Sequence, residues 1–502
     1  MSPRRLTPGR VAKSLFVLDP DRDERASQLC MEALLTLAQN GFAAPQQPAM
    51  LRSPKRRRFA LRSLALGQNF LDQRTEGRAG DEESTPQRYG EQLVAGAEIR
   101  GSQNLKLARS ALQGLIDPST QRGQPGSWLL FPFHESLLWY DARRQRGRPW
   151  VVRKVYMRGS GITLARLLVD PPDGIAREPG VQAVAAMKAA LQAPSPLGVV
   201  ADRLEGALPS QTDPDPDVEE DEREAWEAGG SPQLAGLAER LSRHCEGILR
   251  QGAASGPARL WQLRIILGLD FAWHTLRTAW EVAEVPAQER YLLLTFGGPA
   301  RAENRVRQRS EDAYQRARIA IREATMRTLG RLMQQLAEEE GPELSWSEEF
   351  EARSRLDHVA ERLALVDRAD QFDALAREAF EDANYDRPGD GFRVLLESAG
   401  MLTGTGAYRY LSATPDLLSA MVGALSACMP MTSSEFWALV FQEWGLVVAA
   451  DALGNTDLRG QLDGADLERN ARRAEQIMVV AGLALALSDR TTLVGERARR
   501  QE

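Results

Sequence analysis

Cysteine is scarce: three in 502 residues, at Cys30, Cys245 and Cys428, far apart and in no CxxC pair. That excludes a disulfide framework and leads to an expected cytoplasmic location, where thiols stay reduced. Histidine is limited to four residues, which narrows metal ligation and general-base chemistry. Aromatic residues are 6% of the chain, a composition that disfavours a β-sandwich or barrel. No run of about 18 apolar residues occurs, so no membrane span is expected. A basic excess is missing too. The formal net charge of −6 excludes a uniformly basic nucleic-acid coat but leaves local basic faces open. The GxxxxGK[ST] phosphate loop, the full GxGxxG fingerprint, the GxSxG elbow and HExxH are all absent. Neither a metal nor a cofactor is expected, and a non-enzymatic role is favoured over an enzymatic one.

The chain is too long for one ordinary core, and 43% hydrophobic residues support about two to four domains. The fold class expected is mainly α with small antiparallel β elements (α+β), ending in tandem winged-helix-like units. Residues 1–90 read as a basic, partly disordered N-terminal region, with an arm over 1–12 and a helix over Ala26–Ala43 closed by Asn40-Gly41. Residues 91–207 read as a small α+β domain with an Arg-rich hairpin, its runs separated by Gly147-Arg148-Pro149. Residues 208–233 read as an acidic linker, because Asp213 to Glu222 has heavy like charge and no apolar face.

Residues 234–385 read as helical. Leu260–Val285 carries Trp261, Ile265, Leu269, Trp273, Leu276 and Trp280 at three-to-four spacing, Tyr291–Phe296 reads as a buried strand, and Glu311–Glu340 as a long helix. Residues 386–502 form the winged-helix-like region. Phe392, Leu395 and Leu396 lie on one helix face that ends at Ala399-Gly400. A glycine-rich turn and the strand Tyr408–Leu411 follow, and Ser412 or Thr414 caps a helix with Pro415 at its first position. A weaker copy runs from Ile477 to Leu487 as helix and Thr491 to Val494 as strand, aligning Ala399-Gly400 with Ala481-Gly482 and Leu411 with Leu493.

The candidate nucleic-acid contacts are Arg143, Arg144, Arg146, Arg148, Arg153, Lys154 and Arg158. Residues 141–166 hold 8 Lys/Arg against one acid, with Trp150 and Tyr156 interleaved. Such a hairpin can follow a phosphate backbone and stack on bases, or it can be a solvated strand face. Residues 391–502 hold 10 Arg and no Lys against 13 Asp/Glu, a net −3, which favours protein docking over DNA there. Trp437, Phe441 and Trp444, at i, i+4 and i+7, are the candidate partner-binding stripe, or else core. Gly159-Ser160-Gly161 ahead of a helix can cradle an anion or be a plain turn. The arginines of 301–331 can share a face or form i,i+4 pairs such as Arg307–Glu311 and Glu323–Arg327. Asp19 to Glu24 alternates acids like a calcium loop but lacks its glycine and closing glutamate. His274, within the Trp-rich helix, reads as a packed core histidine.

Three stretches carry a resemblance: VVRKVYMRGSGITLARLL, FAWHTLRTAWEVAEVPAQERYLLLTFGG, and the pattern LLESAGML…YRYLS…EFWALVFQEWGLVV…AGLALALSD. They resemble uncharacterised accessory components of multi-gene bacterial anti-phage defence loci of the methylation-associated or phosphorothioation-dependent type. The resemblance implies a subunit that works beside co-encoded proteins, touching nucleic acid with its basic first half and docking partners with its second. DNA is a possible partner and a membrane is not. An unrecognised nuclease or nucleotide hydrolase, and a transcriptional regulator, are the competing readings.

Overall fold

The structure is a computed structural model. With short gaps it describes residues 8–20, 25–51, 159–199, 220–297, 305–340 and 369–495, together with the strands 141–143 and 151–153 and a few positions over 131–138. The described chain is mostly helical with small sheets, antiparallel except for one parallel pair, an α+β composition. It divides into two compact units: Arg25–Leu267, and Met1–Glu24 together with Gly268–Glu502.

The Arg25–Leu267 unit is built on α2 (Ala26–Gln39), buried along almost its whole length, against α3 (Ser160–Val169). Around them lie α4 (Glu178–Leu191), α5 (Glu220–Ala228) and α6 (Ala235–Leu249). A Cβ at Gly180 would lie 2.1 Å from the Leu168 carbonyl oxygen, so the α3–α4 approach requires glycine. Strands β1 (Asp141–Arg143) and β2 (Val151–Arg153) pair antiparallel, with Arg143 opposite Val151 and Asp141 opposite Arg153.

The acidic linker needs correction from Glu220 onward; residues 208–219 lie outside the described residues. Helix α5 buries Ala225 and Trp226. Arg166 of α3 donates to its last carbonyls, Trp226 O at 2.8 Å and Glu227 O at 2.9 Å, and Thr163 Oγ1 donates to Ala225 O at 2.7 Å. Acids cluster at the N-terminal end of α5 and a guanidinium sits at its C-terminal end, the arrangement a helix dipole favours. One tryptophan and one cap outweigh the like-charge repulsion that suggested an extended chain.

The second unit begins with α1 (Pro8–Phe16), where a disordered arm over 1–12 was expected. Val11, Ala12, Leu15 and Phe16 are buried, a helix-period face behind an initiating proline. Next come α7 (Gly256–Val282, which contains the unit boundary), β3 (Leu292–Leu293), α8 (Arg305–Glu340), α9 (Ala369–Ala383), α10 (Arg387–Ala399), β4 (Leu402–Thr403) and β5 (Tyr410–Leu411). Then follow α11 (Pro415–Ser426), β6 (Met431–Thr432), α12 (Ser433–Trp444), β7 (Leu446–Val447), α13 (Gly464–Val480), β8 (Ala484–Ser488) and β9 (Thr491–Val494).

Two passes of one order are visible: helix, strand, helices, then a hairpin. In the first pass, β4 and β5 pair antiparallel and Thr295 N donates to Leu411 O at 2.9 Å, so the segment after β3 flanks β5. In the second, the sheet order is β6-β9-β8, all antiparallel. Each hairpin is preceded by a helix ending in Ala-Gly with a left-handed glycine, Gly400 at φ 79° and Gly482 at φ 68°. The same long bond closes both: Met401 N to Leu396 O at 2.9 Å and Leu483 N to Met478 O at 2.8 Å.

Leu402 pairs with Leu411 and Leu485 with Leu493. The helix expected over Ile477–Leu487 stops at Val480, because Leu483 to Leu487 alternates with period two and follows a glycine. Thr414 caps α11, accepting from Leu417 N at 3.3 Å.

Asn470 of α13 ties the strands together. Its Oδ1 accepts from Phe296 N at 2.8 Å, and its Nδ2 donates to Leu294 O at 2.9 Å and Val448 O at 3.1 Å. Beside it β3 and β7 run parallel. Gly445, at φ 56°, turns the chain from α12 into β7, and a Cβ there would meet Trp273 at 2.3 Å.

Candidate functional site

The hairpin strands form as expected, but of its basic residues only Arg143 and Arg153 fall within the described strands. Arg144, Arg146, Arg148, Lys154 and Arg158 lie outside the described residues. Arg166, counted with them, is engaged by α5 and by Asp170 at 3.5 Å. The glycine turn 159–161 is closed to external anions: buried Glu32 places Oε2 2.8 Å from Gly161 N. The chain's own carboxylate occupies the helix N-terminus where a phosphate would sit.

Five arginines of α8 (Arg307, Arg309, Arg316, Arg318 and Arg327) pair with acids. Arg307–Glu311 (3.5 Å) and Arg327–Glu323 (3.2 Å) are the expected i,i+4 pairs. Arg316 joins Asp457 (3.1 Å) and Tyr291, whose hydroxyl donates to Asp457 at 2.6 Å. Burial, then the Asp457 hydrogen bond, pushes the Tyr291 pKa well up. Arg318 reaches Asp390 (3.7 Å) on α10, where Arg393 pairs with Glu397 at 3.0 Å and Arg409 with Glu397 at 3.7 Å. Arg393 and Arg409, with five of the α8 guanidiniums, are thereby tied to carboxylates of the same unit.

The aromatic stripe of α12 needs correction. Trp444 is fully buried and its Nε1 donates to Asp270 at 2.8 Å, and Trp437 is 4% exposed. Both are core, because α12 buries more than one face: Phe436 and Val440 are fully buried as well. Phe441 is half-buried against the cluster of Tyr291, Leu293, Val447 and Leu458. Trp437 and Phe441 do wall one open groove of about 360 Å³, running between α12 and the short 3₁₀ helix Ala450–Asn455.

Helix α13 presents the surface that sequence reasoning passed over. Its inner face is Leu467, Asn470, Ala471, Ala474 and Met478, all buried. Its solvent face carries Glu468, Arg469, Arg472, Arg473 and Gln476, ending in Val479 and in Val480, which is 90% exposed. Arg469 pairs with Asp466. No acidic partner within the described residues holds Arg472 or Arg473. The signal was the 3.6-residue period; α13 is neutral on balance, with Asp466, Glu468 and Glu475 against its three arginines, so a charge sum over 391–502 hid the exposed guanidiniums.

His274 is core, its Nε2 2.9 Å from Phe16 O. Among the described residues no cluster of His, Cys, Asp and Glu has metal-binding geometry. None of the described helices is long and apolar enough to cross a membrane. Searches of family models, of curated proteins and of solved structures return no match.

Proposed function

We propose that this chain is a non-enzymatic subunit of a bacterial antiviral defence or DNA-processing assembly, built on tandem winged-helix-like units that contact nucleic acid and dock partner proteins. The winged-helix reading is supported by the second pass: α11, β6, α12, α13, then the β8–β9 hairpin, with β9 between β6 and β8. In that arrangement α13 is the presenting helix and the hairpin is the wing. The defence assignment rests on the sequence resemblance alone.

The observation that carries the nucleic-acid part is the exposed pair Arg472 and Arg473 on α13, which form no ion pair among the described residues although Glu468 stands on the same face. Exposed guanidiniums not engaged in ion pairs are available to phosphates, and releasing the counterions of those phosphates supplies affinity. A contact in the acidic C-terminal region is thus added to the one proposed for the Arg-rich hairpin. The test is duplex binding by the full-length chain across a salt series. Arg472→Ala with Arg473→Ala should flatten the slope of log affinity against log salt by about 2, near 0.9 per lost phosphate contact. An unchanged slope would remove α13 from the proposal.

A further inference from the structure

The groove beside α12 has features that the core does not need. Its wall is apolar where Trp437 and Phe441 meet Ala452, and polar at the edge, where Gln442, Asp451 and Asn455 stand. Its volume lies in the range of sites that hold ligand groups. The Trp437 Nε1–H is buried and finds no acceptor among the described residues.

The charge of the edge is one-sided. Asp451 is exposed and accepts from Ser434 Oγ at 2.8 Å through Oδ2. Glu435 stands one turn before Ala438 on the same helix, with its carboxylate held ionised by the Thr432 backbone and side chain. None of the groove-lining residues is cationic.

We infer that this groove is a docking site for a short segment of a partner protein with an apolar anchor flanked by Lys or Arg. The anchor packs on Trp437 and Phe441, and the basic flank meets Asp451 and Glu435. The groove is open rather than enclosed, which suits a peptide better than a small metabolite. This deepens the docking half of the proposed function and is independent of α13.

The probe is a fluorescent peptide, acetyl-Gly-Lys-Leu-Leu-Arg-Lys-Gly, set against its counterpart with Glu at every basic position, on full-length protein. The basic peptide should bind about tenfold more tightly than the acidic one, a difference of about 1.4 kcal/mol, and should shift the Trp437 indole N–H resonance identified with Trp437→Phe. Ala438→Arg, at an exposed helix position that lines the groove, should abolish binding while leaving the thermal transition and duplex affinity unchanged. Equal binding of the two peptides, no binding of either, or binding that survives Ala438→Arg would overturn the inference. So would a dimer that Ala438→Arg dissolves, because the occupant would then be a second copy. Unchanged duplex affinity in Ala438→Arg keeps this outcome separate from the nucleic-acid reading.

Discussion

Tyr314 and Asn470 show how much of the second unit depends on single polar groups. The Tyr314 hydroxyl is buried with no hydrogen-bond partner among the described residues. Burial raises its pKa to about 12, against the opposing pull of Arg318, Arg409 and Arg393. An unfolded tyrosine ionises near pH 10. The neutral hydroxyl therefore supports the fold fully below pH 10, and that support is lost as pH rises through about 12. Tyr314→Phe should leave urea stability at neutral pH within about 1 kcal/mol of the parent, since no bond is broken. It should also make the decline between pH 10 and 12 shallower. A large loss at neutral pH would reveal a hydrogen bond absent from this account. Asn470 is the opposite case: it satisfies three backbone groups at once. Asn470→Ala should lower stability by about 3 kcal/mol or more, read as a fall in the urea midpoint, because buried donors and acceptors are left unpaired.

At the scale of elements, long helices with a clear apolar period were legible in the sequence, and so was the Ala-Gly stop that both passes share. Helix α5 was not, because its decisive residues, Trp226 and Arg166, are sixty positions apart and only the fold joins them. The β8 strand was hidden by alanine and leucine, which suit helix and strand alike until Gly482 and the period-two alternation are weighed. The groove was half legible. Trp437 and Phe441 could be picked out as surplus apolar surface, but Trp444 could not be separated from them without its buried partner Asp270. The role of Arg166 has a direct test. Arg166→Ala removes the guanidinium from the C-terminal end of α5, worth about 1–2 kcal/mol for a charge-assisted cap. Amide exchange over Glu220–Ala228 should accelerate about tenfold while α2 stays protected. Equal acceleration in both helices would mean that the loss is global rather than local.

At the scale of the molecule, charge is distributed unequally between the two passes. In the first, guanidiniums on α8, α10 and the β4–β5 hairpin are tied to carboxylates of the same unit. In the second, the solvent face of α13 keeps Arg472 and Arg473 without acidic partners among the described residues. The second pass is acidic on balance, with 10 Asp/Glu against 5 Arg over 415–495, so a phosphate contact there is local to the exposed guanidiniums of α13. The central claim is that α13 and its hairpin meet nucleic acid. Photo-crosslinking of full-length protein to a duplex carrying photoreactive bases, with the attached peptides mapped by mass spectrometry, tests it most directly. The account predicts crosslinks within Gly464–Val480 and Ala484–Val494, lost in the Arg472→Ala, Arg473→Ala variant. Crosslinks confined to residues 141–158, unchanged in that variant, would contradict it.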